Sequence, residues 1–331
     1  ALTAAAAVCV LVVALAVTRP WDVQVTHVAP PLPDLAPHKR KEKLLGALLA
    51  TAFVYVREAL KRGVENPEDI ERTGTPVYAS IPFTEKQATL EKRLANFKRD
   101  KSTASYLLTI NDPADLATEA MRSLRTSLHF AMIEAKNNVL MITGPSPAVG
   151  KSFVTTNLAA VVAQSGKRVL LIDADMRKGY LHKVMRCDGD KGLSDILSGR
   201  ITLFDAIQKT QLNNLHVITH GQLPPNPSEL LMHENFSRFV KEISHMYDLV
   251  IFDTPPILAV TDAALVGSQA GTTLMVTRYG LNGLKEIEAA KRRLEQNGLL
   301  VKGVIFNAVV RKASTYGEYG YYQYEYASTN K

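Results

Sequence analysis

Cysteine is almost missing from this chain: its 331 residues carry only Cys9 and Cys187. That excludes a disulfide-stapled scaffold and a four-cysteine zinc site. Glycine (19) and proline (16) are too few for a collagen-like chain. Acid is in short supply, 32 Asp and Glu against 39 Lys and Arg, which leaves a formal net charge of +7. A basic excess suits an anionic partner such as a nucleotide, a phospholipid surface or a nucleic acid, and composition does not choose among them. The remainder is ordinary, since 46% apolar and 21% charged residues fit a folded globular chain rather than a disordered one. Tyrosine is the exception, because six of the twelve fall between Tyr316 and Tyr326. A random scatter would not crowd half of them into so short a stretch, so the C-terminus has a task of its own.

Charge is absent altogether from Ala1 to Thr18, which is mostly Ala, Val and Leu. As a helix this stretch would span about 27 Å, close to the ~30 Å hydrocarbon core of a bilayer. A secretory signal would open on basic residues and none precede it; the chain also begins at Ala1 without Met, as a piece of a longer chain would. Residues 1–18 are expected to form a transmembrane helix. Leu44–Val56 is uncharged as well, and Lys43, Arg57, Lys61 and Arg62 can snorkel to extend its reach, so 44–62 is expected to be a second membrane segment. Between them, in 19–43, Pro30-Pro31-Leu32-Pro33 and Pro37 preclude a regular helix and read as a stiff connector. Residues 63–105 read as a polar juxtamembrane linker. It holds a helix start at Asn66-Pro67-Glu68-Asp69, a short strand within Pro76–Pro82 and a densely charged, solvated stretch over Glu85–Lys101.

From Asn111 onwards, apolar strand runs alternate with amphipathic helix patterns, which predicts a parallel α/β sheet in a domain over 106–312. Val139-Leu140-Met141-Ile142-Thr143 reads as a buried strand. Gly144-Pro145-Ser146-Pro147-Ala148-Val149-Gly150-Lys151-Ser152 follows, then a helix pattern to Ser165. A strand, a loop ending in Gly-Lys-Ser and a helix make up the context of a phosphate-binding loop. Backbone N–H groups of such a loop wrap a β-phosphate, and the helix N-terminus adds its positive dipole. Lys151 would reach the β- and γ-phosphates, and the Ser152 hydroxyl would take a place on Mg²⁺. The common pattern sets a glycine at position 145; here Pro145 stands there and Gly144 comes one residue early.

Two carboxylate sites complete the pattern. Val169-Leu170-Leu171-Ile172 leads into Asp173-Ala174-Asp175-Met176-Arg177, and Leu249-Val250-Ile251-Phe252 into Asp253-Thr254-Pro255-Pro256, the form of a Walker B acid. Open α/β sheets bind ligands outside the carboxyl ends of their strands, where these acids would lie. A nucleotide site with Mg²⁺ follows, with Pro147, Val149, Gly150, Lys151, Ser152 and Phe153 at the nucleotide, and Ser152, Asp173 and Asp253 at the metal.

The Asp173-x-Asp175-x-Arg177 arrangement between the phosphate loop and the Walker B strand resembles the Walker A′ motif of bacterial tyrosine kinases. The tail Tyr316, Tyr319, Tyr321, Tyr322, Tyr324 and Tyr326 resembles their autophosphorylated tail. Glu119, Arg122 and Arg125 match the Glu-x-x-Arg-x-x-Arg helix with which these kinases pack into rings. The proline-rich connector before Leu44–Val56 is similar to that of polysaccharide co-polymerases. Over residues 28 to 331 the sequence resembles a Wzc-type tyrosine autokinase of the Gram-negative inner membrane. Such proteins carry a large periplasmic domain between their membrane helices, where this chain has only 19–43.

The resemblance implies a mostly parallel P-loop NTPase-type α/β fold, preceded by one or two transmembrane helices, with the kinase domain in the cytoplasm. It further implies ATP-dependent phosphorylation of tyrosines in 313–331 of neighbouring subunits, coupled to polysaccharide polymerisation and export. The implied partners are a homo-oligomeric ring, the export and polymerase machinery, a tyrosine phosphatase and membrane lipid. Tyr180 matches an internal phosphoacceptor tyrosine, and His220 stands before Gly221–Pro227 where close relatives carry arginine. Asn307, near the end of Gly303-Val304-Ile305-Phe306, is carried over as an adenine contact, with a structural turn as the alternative.

In such a site Lys151, Asp173, Asp175 and Asp253 carry the chemistry. A tyrosine hydroxyl has a reference pKa of about 10, so an acceptor for its proton is needed. Asp173 or Asp175 supplies it, with Asp173 preferred. Lys151 and Arg177 offer positive charge to the incoming tail. Each added phosphate brings about −1.5 to −2, which would drive crowded tails apart. Two other functions fit the same nucleotide site. One is a partitioning or septum-placing ATPase, which has no need of six tail tyrosines; the other is a scaffold that binds ATP only to assemble. Nucleic-acid binding is not expected, because Arg and Lys do not cluster with the aromatics.

Overall fold

The computed structural model describes residues 50–52, 63–97 and 105–310. Residues 50–52 are helical and belong to a first compact unit, 1–62; everything below concerns the second, which begins at Gly63. Among the described residues no helix is long and apolar enough to cross a membrane. The stretches expected to do so, 1–18 and 44–62, lie outside the described residues apart from 50–52, and so does the tyrosine tail.

The unit is built on eight strands: β1 (Val77–Pro82), β2 (Val139–Thr143), β3 (Val169–Asp173), β4 (Gln208–Lys209), β5 (Leu215–Ile218), β6 (Leu249–Asp253), β7 (Thr272–Arg278) and β8 (Gly303–Val309). They form one sheet in the order β1-β8-β7-β2-β6-β3-β5-β4, parallel except for the β4–β5 pair. The expected parallel α/β sheet is therefore present, and it starts earlier than the motif pattern suggested. The stretch 63–105, read as a linker, contributes β1, which pairs with β8 along the sheet edge.

Five-residue strands such as Val139–Thr143 are buried throughout, as strands covered on both faces must be. Val139 and Met141 join one apolar cluster, which also holds Phe236, Phe239 and Ile287; Leu140 and Ile142 join another with Met121, Leu124 and Leu158. On the first face lie α10 (Glu234–Met246), α11 (Asp262–Gln269) and α12 (Leu284–Glu295). On the second lie α4 (Leu116–Met132) and α5 (Lys151–Gln164). Helix α5 is buried from Val154 to Ala163, which leaves its N-terminus fixed at the edge of the central strands. Shorter helices fill the connections: α1 (Pro67–Glu71), α2 (Glu85–Ala95), α3 (Leu108–Asn111), α6 (Leu181–Met185), α7 (Leu193–Leu197), α8 (Leu203–Ala206) and α9 (Pro227–Met232). The chain runs outward from β2 to β3 and β5, then returns through β6 to β7 and β8 on the far side. A reversal of strand order of this kind opens a crevice at the carboxyl ends of the central strands.

Candidate nucleotide site

At the head of β2 the backbone turns through Gly144–Gly150 into α5. Ala148 and Gly150 take positive φ values of 62° and 91°, the left-handed geometry that turns successive N–H groups toward an anion. A Cβ on Gly150 would lie 2.1 Å from Asn307 Nδ2, so only glycine fits there. Asn307 is in mid-strand rather than in a turn; its Nδ2 donates to Val149 O (2.9 Å), while its buried Oδ1 has no partner. Side chains from outside the loop brace it: Asn282 Nδ2 donates to Ser146 Oγ (2.9 Å) and Arg278 Nη1 to Ala148 O (3.0 Å). The segment after β6 adds Ile257 N to Gly144 O at 3.0 Å. Pro147 is exposed at the loop's tip, Val149 is buried beneath it, and Phe153 packs into the apolar cluster below.

Asp253 ends β6 and is 3% exposed. Its Oδ2 accepts from Ser152 Oγ at 2.5 Å and its Oδ1 from Thr155 Oγ1 at 3.2 Å. Burial pushes this carboxyl up to about 6, against the pull of Lys151 and the two hydroxyls. Lys151 is itself lowered by burial, with Asp253 and Asp175 acting the other way. Asp173 ends the neighbouring strand, directly paired with Asp253, and is 1% exposed. Burial and then the Asp253 charge hold it well above the usual carboxylate range. Both of its oxygens are taken by backbone: Oδ1 accepts from Asp175 N (3.2 Å) and Oδ2 from Leu181 N (3.0 Å).

Asp175 is half-buried, and its Oδ1 accepts from the N–H groups of Arg177 (3.2 Å) and Lys178 (2.9 Å). A Cβ on Gly179 would lie 2.6 Å from Asp173 Oδ2, from Asp175 O and from His220 Cδ2, so the backbone threads between the two acids and the histidine. Arg177, expected to offer its charge to a substrate, spends it on Asp262 instead, at 2.8 and 3.1 Å.

Tyr180 is 40% exposed as a whole residue, while desolvation of its phenol, followed by the Asp253 charge, pushes its pKa up to about 12, with Ser152 acting the other way. His220 is nearly buried, bonds through Nδ1 to Gly221 O (2.5 Å) and meets the His182 ring edge to face with centroids 5.3 Å apart. On α4, Arg122 pairs with Glu119 and donates to Pro113 O (3.0 Å), while Arg125 reaches Val161 O only at 3.5 Å.

The structure thus brings Lys151, Ser152, Asp173, Asp175, Asp253, Tyr180 and Asn307 to one end of the sheet. Thr155, Arg278 and Asn282 belong to the same site and were not singled out by sequence. Thr155 had a readable signal, one helical turn beyond Lys151 on the same face; the other two had none. Among the described residues no group of three or more His, Cys, Asp and Glu side chains clusters for a metal. Mg²⁺ does not need one, since it binds through one or two carboxylates, a hydroxyl, phosphate oxygens and waters. Two buried carboxylates beside one lysine, a left-handed amide loop and an unpartnered buried Oδ1 fit a magnesium nucleotide.

Comparison with known proteins agrees with this geometry. Residues 138–299 match the model of the AAA domain family. The tyrosine-protein kinase wzc of Salmonella typhimurium is 53% identical over 290 residues, 87% of this chain and 40% of that protein. The chain thus spans about two fifths of the length of the curated relatives it matches. The solved kinase domain of Escherichia coli tyrosine kinase ETK is 50% identical, with a TM-score of 0.70 over 78% of this chain and all of that one. The BceF tyrosine kinase domain is 43% identical, with a TM-score of 0.69 over 75% of this chain and the whole of its own. With half the aligned residues shared across a complete kinase domain, and with the phosphate loop and both strand-end acids in place, the chain belongs to the Wzc/Etk family of bacterial tyrosine kinases.

Proposed function

We propose that this protein is an ATP-dependent tyrosine autokinase that phosphorylates Tyr316, Tyr319, Tyr321, Tyr322, Tyr324 and Tyr326 of neighbouring copies, and Tyr180, in service of polysaccharide polymerisation and export at the bacterial inner membrane. The observation that carries the reading is the union of the Ser152–Asp253 contact with the Asp173–Asp175 loop at one sheet end, beside a lysine at a helix N-terminus. Lys151 and the loop amides hold the phosphates, and the Asn307 Oδ1 is free to accept from the adenine amino group. Ser152 and Asp253 hold Mg²⁺, with Asp173 alongside, and the ion supplies neutralisation of the charge that builds on the phosphoryl oxygens.

Asp173 was the preferred proton acceptor, but both its oxygens are committed to backbone N–H groups, so it shapes the loop. Asp175 is the better acceptor, half-buried and bonded through Oδ1 alone among the described residues. Glu119, Arg122 and Arg125 form an exposed to half-buried row on α4 that serves the ring contact; Arg125, loosely held at 3.5 Å, is the one most able to change partners.

The test is to incubate the protein with labelled ATP and Mg²⁺ and map the label. Label on the tail tyrosines, absent in Lys151→Met, supports the kinase. Nucleotide binding and oligomerisation with no tyrosine label would favour the ATP-dependent scaffold.

A further inference from the structure

Asp262 is the first residue of α11 and its side chain is wholly buried, unlike those of the exposed ion pairs Arg72–Asp69 and Arg168–Asp248. A buried carboxylate is unfavourable unless its oxygens are occupied. Here Oδ2 accepts from Arg177 Nε at 2.8 Å, and Oδ1 from Arg177 Nη2 at 3.1 Å and Ser228 Oγ at 2.6 Å. Arg177 Nη2 also donates to Ser228 Oγ at 3.3 Å. Two parallel bonds from one guanidinium fix direction as well as distance, which a lysine at the same place would not do.

The clamp joins three separate segments. Asp262 follows the Walker B strand β6, Ser228 lies in α9 after Gly221–Pro227, and Arg177 lies in the loop leaving β3. What the clamp holds is informative. The N–H groups of Arg177 and its neighbour Lys178 are the two donors on Asp175 Oδ1, and Asp175 O accepts from Gly179 N at 2.6 Å. Anchoring the Arg177 side chain therefore fixes the backbone that aims the Asp175 carboxylate.

We propose that Asp262, assisted by Ser228, is a positioning residue for phosphoryl transfer: it holds Arg177 and, through the Arg177 and Lys178 amides, sets the direction of Asp175. The inference rests on the kinase reading for its consequence in catalysis, and on geometry alone for the clamp.

Two measurements separate these. Hydrogen exchange on the full protein reads the clamp without any activity: in Asp262→Asn the Arg177 and Lys178 amides should exchange about tenfold faster, while those of β2 and β6 keep their protection. Tail labelling at saturating Mg-ATP reads the consequence: kcat should fall roughly tenfold to a hundredfold, as for a misplaced catalytic group, with the directly measured Kd for Mg-ATP within about twofold of wild type. Arg177→Lys should behave like Asp262→Asn, because charge without the fork does not aim the loop, and Ser228→Ala should show a smaller loss in the same direction. Should Asp262→Asn not fold, those two variants carry the same readings.

A positioning role acting through Asp175 also predicts non-additivity. Asp262→Asn placed on Asp175→Glu should slow labelling no further than Asp175→Glu alone. Unchanged exchange of the two amides, wild-type labelling by Arg177→Lys or multiplying losses in the double variant would each overturn the proposal. A wild-type protein that binds Mg-ATP but labels no tyrosine would instead sink the kinase reading, and the exchange arm would still decide the clamp.

Discussion

Two aspartates end adjacent strands in direct register, and they are set up in opposite ways. Asp253 on β6 is bonded to the side-chain hydroxyls of Ser152 and Thr155 and lies in the field of Lys151, all three on α5. Asp173 on β3 is bonded to the backbone N–H groups of Asp175 and Leu181. Residue type, burial and strand position are the same. Hydroxyls rotate and ammonium groups swing, so the partners of Asp253 can turn to an arriving ligand. Backbone donors cannot leave Asp173 without unmaking the loop. The β6 end is thus built to exchange partners and the β3 end to keep a shape, a contrast that burial and charge alone would not reveal.

The contrast breaks most visibly if Asp253 is replaced. Asp253→Asn should lower tail labelling by roughly 10²–10³, the cost of removing one preorganised electrostatic contact, with thermal stability unchanged because the hydroxyls keep an oxygen to bond. A melt and a labelling assay on the same preparation check both halves. Asp173→Ala should do the reverse in emphasis, leaving two loop N–H groups without acceptors at about 1–3 kcal/mol each; a urea titration with an unchanged midpoint would erase the distinction.

Tyr180 lies within reach of both ends: it follows the β3 loop, and Ser152 and the Asp253 charge both act on its phenol. Tyr180→Phe removes one polar group from beside Ser152 and should shift Mg-nucleotide affinity by no more than about fivefold, the worth of one hydrogen bond near 1 kcal/mol, read by titration with a fluorescent nucleotide.

The smallest effect concerns pH. His182 is lowered from its ordinary 6.5 by burial, then by His220 and Lys183, while Asp188 and Asp190 act the other way. The fold therefore favours its neutral form; the stability this contributes is complete above pH 6.5 and is lost as pH falls through the lowered folded value. His182→Asn should melt more nearly alike at pH 7 and pH 5 than wild type does.

The phosphate loop and both strand-end acids were legible because each is a short run in which strand, turn and functional group are contiguous. The clamp on Arg177 was not, since Asp262 lies 85 positions away along the chain and an aspartate at a helix start reads as an ordinary cap. The same holds for Asn282 and Arg278, which reach the loop across more than a hundred residues. Strand β1 was readable as a strand between prolines but not as part of the sheet, because nothing local in Val77–Pro82 names β8 as its neighbour. Arg177 shows the limit most clearly: its presence near the acids was expected, and only packing reveals where its charge goes.

Strand β1 has a practical bearing on how the chain is divided. It covers the outer flank of β8, a seven-residue strand of mostly apolar side chains. A fragment starting at residue 106 would strip that cover and present β8 as an open edge, a row of free amides and carbonyls ready to pair with another copy. Oligomers formed by such a fragment would be edge-to-edge aggregates, with a stoichiometry that says nothing about rings. Starting at Gly63 keeps the edge closed by a short strand ending at Pro82, whose missing N–H and fixed φ discourage further pairing.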